Sequence, residues 1–584
     1  MKGFLLIISL TLLSSITFGQ VVYEDINNSA IYEFLDELAN LKIITLNSAV
    51  KPYSRKFIAE KLRQAQKACN LSNLPTYQNT NLPTYQLTNL PAYQLTTRQK
   101  KELLFYLQDF QLERNGADTV AVGERQDQLA EGYKYKLELL SRKQQSMALA
   151  LNPLGLHYRD RLFTFSLRPI LGLQYMVNEN GSAFHRWWGG SIFGYIGSNF
   201  GFYANLRDNN ESVPLAKPEY FTEAQGGVYK YRDDGGVDYS EMRGGIVGSV
   251  NWGSLGIMLD RVAWGENYHG ANIFSGKAPA FPYIQLHLNP VKWFDFNYIH
   301  GWLNSNVIDS GRSYYTNGEY REVFRNKFMA ANMFTFIPWK GLNLSIGNSI
   351  IYSDSDLNPL YFIPFLFFNA ADAIKNNYSN NAGSNSQLFF NISSRQIRRL
   401  HLYISFFIDE WKSSRLLKPD YNNFTSLKAG FSFSDLFHKN ISVTAEYTRT
   451  QPMTYLHYIP STTFASNDYS LGNYLRENSQ EIYFMVSWRP LRGLLLSASW
   501  TNAMHGDDVP YNYNAGYMVD MIPFIKNKTW QNNSFEFSSR YEFVNNGYFF
   551  LQFTNGNRKG DVGFQPEFMH GQTNTLSTGI NVGF

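Results

Sequence analysis

The 584-residue chain sets 52 Lys and Arg against 48 Asp and Glu, a net charge of +4 that leaves no electrostatic footprint for a nucleic-acid partner. Aromatic residues make up 16% of it, yet mean hydropathy is −0.32, and no stretch past the N-terminus reaches the roughly eighteen apolar residues of a membrane helix. Many rings, many Asn and Gly and no hydrophobic run exclude a helical membrane protein and fit a membrane β-barrel, whose strands alternate lipid-facing with lumen-facing side chains.

The first nineteen residues read as a signal peptide: Lys2 gives the positive start, Phe4 to Leu13 the apolar region, and Thr17-Phe18-Gly19 a small-residue exit before Gln20. The single cysteine, Cys69, can form no internal disulfide and reads as a small buried side chain. Residues 20–130 read as a helical periplasmic domain. Ile31, Phe34, Leu35 and Leu38 recur at helical spacing behind Asn28 or Ser29 as N-cap. Pro52 and Ser54 open a second helix carrying Phe57, Ile58, Leu62 and Ala65. A third runs from Arg98 to Leu112, with Leu103, Leu104, Leu107 and Phe110 as its apolar face. Between the second and third lies an octad in three copies over 73–96, NLPTYQNT, NLPTYQLT and NLPAYQLT. A Pro in each copy forbids a continuous helix, and three such short units could hardly bury a core, so this segment reads as a loop.

From residue 131 to 584 the period becomes two, predicting a large all-β, antiparallel transmembrane barrel. Leu400, Leu402, Ile404, Phe406 and Ile408 alternate with His401, Tyr403, Ser405, Phe407 and Asp409. Phe535, Phe537, Tyr541 and Phe543 alternate with Glu536, Ser538, Arg540 and Glu542. Connections separate this from a soluble sandwich. Tight links near Asn251, Asn289-Pro290, Pro338 to Gly341, Arg398-Arg399, His438 to Asn440, Pro490 to Gly493 and Asn545 to Gly547 alternate with long polar segments. Those are 209–240, 264–280, 303–323, 354–385, 412–424, 450–478, 503–530 and 556–572. Short turns at one rim and long loops at the other are the habit of outer-membrane barrels. The count is eighteen to twenty strands. The last stretch, Thr575 to Phe584, ends on an aromatic as a partner for the outer-membrane insertion machinery would. With that end at the periplasmic rim, segment 264–280 is expected outside the cell.

No catalytic signature appears: no HExxH, no GxSxG, no phosphate loop and no clustered Cys/His spacing, so neither an enzyme nor a cofactor is expected. Inward charges such as Asp260, His287, Asp295, Asp409, Glu446, Glu536, Arg540 and Glu542 read as a paired lumen network. The outer loops are rich in rings and amides, a composition suited to sugars, whose apolar faces pack on aromatics while amides and charges take the hydroxyls. Trp264, Tyr268, His269, Asn272, Tyr314, Tyr315, Tyr511 and Tyr513 are the candidate glycan-binding residues.

The stretch from Ile31 to Leu62, IYEFLDELANLKIITLNSAVKPYSRKFIAEKL, resembles the start of the capsule-assembly Wzi family of outer-membrane proteins. So do LRPILGLQY (Leu167–Tyr175), WGENYHGANIFSGKAPAF (Trp264–Phe281), LHLNPVKWFDFNYIHGWL (Leu286–Leu303) and FTFIPWKGLNLSIGNSIIYSD (Phe334–Asp354). The resemblance covers nearly the whole mature chain apart from the octads. It implies eighteen strands, a small helical domain at the periplasmic end, and a lectin-like protein that holds surface polysaccharide without being an enzyme. It carries no short binding motif. A porin or transporter for oligosaccharides or apolar solutes is the alternative, and an outer-membrane hydrolase a third reading that needs catalytic side chains converging at the outer rim.

Overall fold

A computed structural model describes residues 20–68, 95–114, 134–142, 145–354, 356–378, 383–415, 421–508 and 521–583. The signal peptide at 1–19, Cys69, most of the octad repeat, Tyr511, Tyr513 and Phe584 lie outside the described residues.

Eighteen antiparallel strands, from Phe163–Asn178 to Gly571–Val582, pair in chain order, and the last pairs with the first from Leu576 opposite Val177 to Val582 opposite Leu171. Closure leaves no open sheet edge toward hydrocarbon, so the backbone groups of the wall strands are bonded within the sheet. Alternation sets the faces: Leu171, Leu173, Tyr175 and Val177 are exposed on the outer wall, whereas Arg168, Ile170 and Met176 are buried inside. Trp252, Trp293, Trp339 and Trp488 stand exposed beside the tight turns, as an interfacial girdle requires. The chain is therefore an outer-membrane β-barrel.

The tight turns fall at one rim. At Lys340-Gly341 the glycine has φ +83°, which the reversal needs, and at Asn545-Asn546 the second Asn has φ +61°. The expected turn at Asn289-Pro290 is displaced. Both residues belong to strand Phe281–Val291, where the register shifts between Leu288 and Val291, and the reversal is made at Lys292-Trp293. A bulge accommodates a proline that cannot donate to the ladder. One tight connection, Glu179-Asn180, sits at the opposite rim between Asn178 and Gly181.

The closed barrel begins at Phe163, later than the change of period at 131. Before it, Lys134–Arg142, Gln145–Asn152 and Leu154–Arg159 form a meander whose last strand pairs with Thr164 to Leu167, below the seam.

In the N-terminal domain, α1 (Ser29–Asn40), α2 (Arg55–Ala68) and α3 (Thr97–Asp109) pack Ile31, Leu35, Leu38, Ile58, Leu62, Leu103 and Phe110 into one apolar core. Two sequence expectations shift here. Asn28 is the N-cap of α1, but its amide donates to Glu24 and Asn546 rather than capping, because it is used to dock the domain. Leu104 is exposed and Tyr106, three residues after Leu103 and so on the same face, takes the inward place. Thr96 caps α3 with a reciprocal box to Gln99.

The helices cover the periplasmic mouth. Arg489 and Arg540 reach Glu33, Tyr106 donates to Glu542 at 2.9 Å, and Asn545 donates to the Phe105 carbonyl. Arg395, on a periplasmic turn, donates to Asp36, Asn40 and Ser48.

Candidate functional site: the filled lumen and the outer cleft

Segment 264–280 is not an outside loop: it turns inward and fills the lumen. Its path is fixed by backbone pairing with the N-terminal domain, Val50 opposite Trp264 and Lys51 opposite Ala263, closed by Phe274 opposite Trp264. Gly265, at φ +98°, makes the bend where any β-carbon would lie 2.9 Å from Ser405 Oγ. Above it lies segment 451–478, whose Tyr455 hydroxyl donates to the Asn272 carbonyl and whose Phe464 ring packs 5.3 Å from Phe274. One apolar core thus runs through the barrel from Val22 and Tyr23 through Trp264, Ile273 and Phe274 to Phe464 and Leu471.

Polar anchors hold this plug. The Tyr268 and His269 amides donate to the two oxygens of Glu446, which Lys428 neutralises at 3.1 Å. His269 stacks on Tyr483 with centroids 4.0 Å apart, its Nδ1 2.6 Å from Glu223 and its Nε2 3.4 Å from Glu481. Burial disfavours the imidazolium, but the two carboxylates outweigh it and hold the ring well above the usual histidine range. Lys277 donates to the Tyr220 carbonyl, and burial pushes its ammonium down to about 7.

The inward charges are engaged in pairs and hydrogen bonds. Arg243 bridges Asp260 and Asp25, His287 meets Asp295 at 2.9 Å, and Asp409 accepts from the Tyr455 amide. The first ties the N-terminal segment to the wall, the second joins two neighbouring wall strands, and the third ties segment 451–478 to the wall.

The eight sequence candidates are not brought together. Trp264 is 1% exposed and Asn272 is fully buried, its amide donating to the Ser405 and Ser426 carbonyls. Tyr268 bonds His401 at 2.9 Å within the plug, beside His269. These four brace the lumen: the burial of Trp264 and Asn272, and the bonds of the half-buried Tyr268 and His269 to His401, Glu446 and Glu223, overturn the expectation that they face the outside. Tyr314 and Tyr315 are exposed on a hairpin turned by Asn317-Gly318, both at positive φ. Tyr511 and Tyr513 fall outside the described residues.

At the outer rim the structure forms a cleft of about 740 Å³ that the sequence reading did not single out. Its floor is a hairpin, Ala465-Ser466 paired with Tyr469-Ser470, reversed by Asn467-Asp468 at φ +51° and +66°. The Tyr469 hydroxyl fixes the opposite lip by donating to the Ala216 and Gly227 carbonyls, and Asn304 donates to Asn467 at 3.0 Å. Exposed Tyr231 and Phe324 line it with Asn306, Arg325, Asn326 and Lys327. Arg325 is held by Asp354 at 2.7 Å, while burial and Glu219 push the Asp468 carboxyl up against the pull of Lys327. Flat rings beside amides and both signs of charge can pack a sugar's apolar face and bond its hydroxyls. The signal was present in WLNSN (302–306), FRNK (324–327) and NDY (467–469), but these lie far apart in the chain.

No protein-family model matches the chain, and no curated protein sequence matches it. Among solved structures, the chain is similar to Wzi of Escherichia coli, described as an outer-membrane protein involved in group 1 capsule assembly and a carbohydrate-binding β-barrel. The TM-score is 0.50 at 11% identity, over 97% of this chain and all of that one. OccD3 (OpdP) of Pseudomonas aeruginosa matches with a TM-score of 0.39 at 10% identity, over 71% of this chain and 90% of that one. OccAB3 of Acinetobacter baumannii matches with 0.39 at 11%, over 72% and 99%. What the chain shares with the Escherichia coli protein is thus the fold of the whole barrel together with its N-terminal region.

Proposed function

We propose that the protein is an outer-membrane polysaccharide-binding protein, which takes surface glycan in the outer cleft and helps to assemble or retain a capsule-type layer. The carrying observation is the pairing of an open, ring-and-amide cleft at the outer rim with a lumen occupied by the protein's own segments. A porin needs a water-filled passage, and here a buried apolar core crosses the space it would use. The likeness of the fold to a carbohydrate-binding barrel supports the same reading. Binding rather than turnover is proposed. The outer-membrane lipid and the insertion machinery that reads the last strand are its other partners.

Surface polysaccharide is to be compared in cells with the protein, without it, and with Tyr231→Ala and Phe324→Ala combined. Loss of retention in the last two, with heat-modifiable mobility kept in the variant, supports the proposal. Unchanged retention, or a large steady conductance of the purified wild-type protein in planar bilayers, overturns it.

A further inference from the structure

Segment 354–385 was expected as a polar outer loop. It is instead apolar at its centre, from Leu357 through Phe362, Ile363, Phe365 and Phe367 to Phe368, and it descends the outside of the barrel. The wall beneath it comprises strands Phe294–Leu303, Lys327–Trp339 and Leu342–Ser353. On these, Phe336, Leu344 and Ile346 are exposed to the surroundings, and the same alternation puts Phe296, Tyr298, His300, Asn332, Phe334 and Asn348 on that outer face. Yet His300 and Asn332 are wholly buried, and Asn348 nearly so.

The segment covers them, and the fit is chemical as well as steric. Asn332 Nδ2 donates to the carbonyls of Pro364 and Leu366 at 2.9 and 3.0 Å. Asn348 Oδ1 accepts the Phe368 amide at 2.8 Å, and the Tyr298 hydroxyl donates to the Tyr361 carbonyl at 2.7 Å. His300 is bonded by Tyr352 and stacked under Phe362 at 4.0 Å. Irregular backbone inside hydrocarbon is tolerated only where its polar groups are satisfied by protein, and this wall supplies that satisfaction.

The depth is legible from the register. Phe365 stacks 4.6 Å from Phe296, which pairs with Phe334, seven residues in from Lys327 at the rim. At ~3.4 Å per residue and ~40° of tilt, that lies about 18 Å below the strand end, well within an apolar band ~25 Å tall. Ile363, Phe365 and Phe367 are 47%, 55% and 50% exposed there, continuous with the lipid-facing wall.

We propose that Leu357–Phe368 is a membrane-embedded strap whose outer face is seated among the acyl chains of the bilayer, so that the barrel presents a built lipid-contact surface beyond its strands. Water has no access at that depth, and the strap's backbone contacts leave Ile363, Phe365 and Phe367 for lipid.

Nitroxide accessibility tests this. In a Cys69→Ser background, Phe365→Cys is spin-labelled in phosphatidylcholine vesicles, with Phe537→Cys as the lipid-facing reference and Tyr315→Cys as the aqueous one. The expected result is an oxygen-to-nickel-chelate accessibility ratio matching the Phe537 position and severalfold above the Tyr315 position. A ratio matching Tyr315 overturns the proposal, as does dipolar broadening between labels, which would seat a second copy of the chain there. Ile363→Cys gives the same reading should the first variant fail to fold.

Discussion

His269 Nδ1 lies 2.6 Å from Glu223 Oε2, joining the segment that fills the lumen to the 212–236 connection above it. Because the folded value of this imidazole is raised, its contribution is complete below the unfolded value of about 6.5 and is lost as pH rises through the folded one. Hydrogen exchange of amides 264–280 should therefore accelerate on the alkaline side, and His269→Gln should exchange rapidly at all pH values. Equal protection of this segment at pH 6 and pH 10 would sink the latch.

Trp264→Ala should leave a cavity at the junction of plug and N-terminal domain, a loss of about 3–5 kcal/mol for a buried large aromatic. The expected readout is intermittent channel opening in planar bilayers with polysaccharide retention kept. A variant that stays closed and loses retention would return Trp264 to the binding surface.

Tyr231→Ala and Phe324→Ala each remove an exposed ring from the cleft. At roughly 1 kcal/mol per ring contact, the pair should weaken polysaccharide affinity by about thirtyfold without altering barrel stability. Titration of the purified variant against extracted polysaccharide measures it, and an unchanged affinity removes the cleft as the site.

Arg395→Met should free the helical domain from the barrel mouth, because Asp36 would lose a buried cationic partner at 2.8 Å, a loss of about 3–5 kcal/mol. Limited proteolysis should then cut within residues 20–114 while the barrel keeps its heat-modifiable mobility. Resistance equal to wild type would show that the remaining contacts suffice.

Thr96→Ala should cost α3 about 1 kcal/mol by removing the hydroxyl that accepts the Gln99 amide. Selective softening of this helix in hydrogen exchange is the expected sign.

Strand alternation and the positions of most turns were legible because each is local: a period of two in Leu400 to Asp409, a glycine at Gly341, an Asn pair at Asn545-Asn546. What the loops do was not. Trp264, Ile273 and Phe274 look the same in sequence whether they face sugar or core. The difference lies in Val50 and Phe464, each some two hundred residues away. Asn332 and Asn348 read as ordinary polar interruptions until the carbonyls of Pro364 and Leu366 are laid over them. The cleft is assembled from short pieces near residues 227–231, 302–306, 324–328 and 467–469, whose only common property is composition. In each case the deciding contact spans loops that the sequence leaves unpaired.

The meander before the barrel bears on how the cylinder is finished. The first strand offers one edge, and two claimants divide it: the strand Leu154–Arg159 takes the stretch opposite Thr164 to Leu167, and the last strand takes Leu171 to Val177. A slip of the last strand by two residues toward the periplasm would drive the residues after Val582 into the place Leu156 holds. The meander is thus a doorstop that limits how far the last strand can slide along the first, and it fixes the stagger of the closed wall.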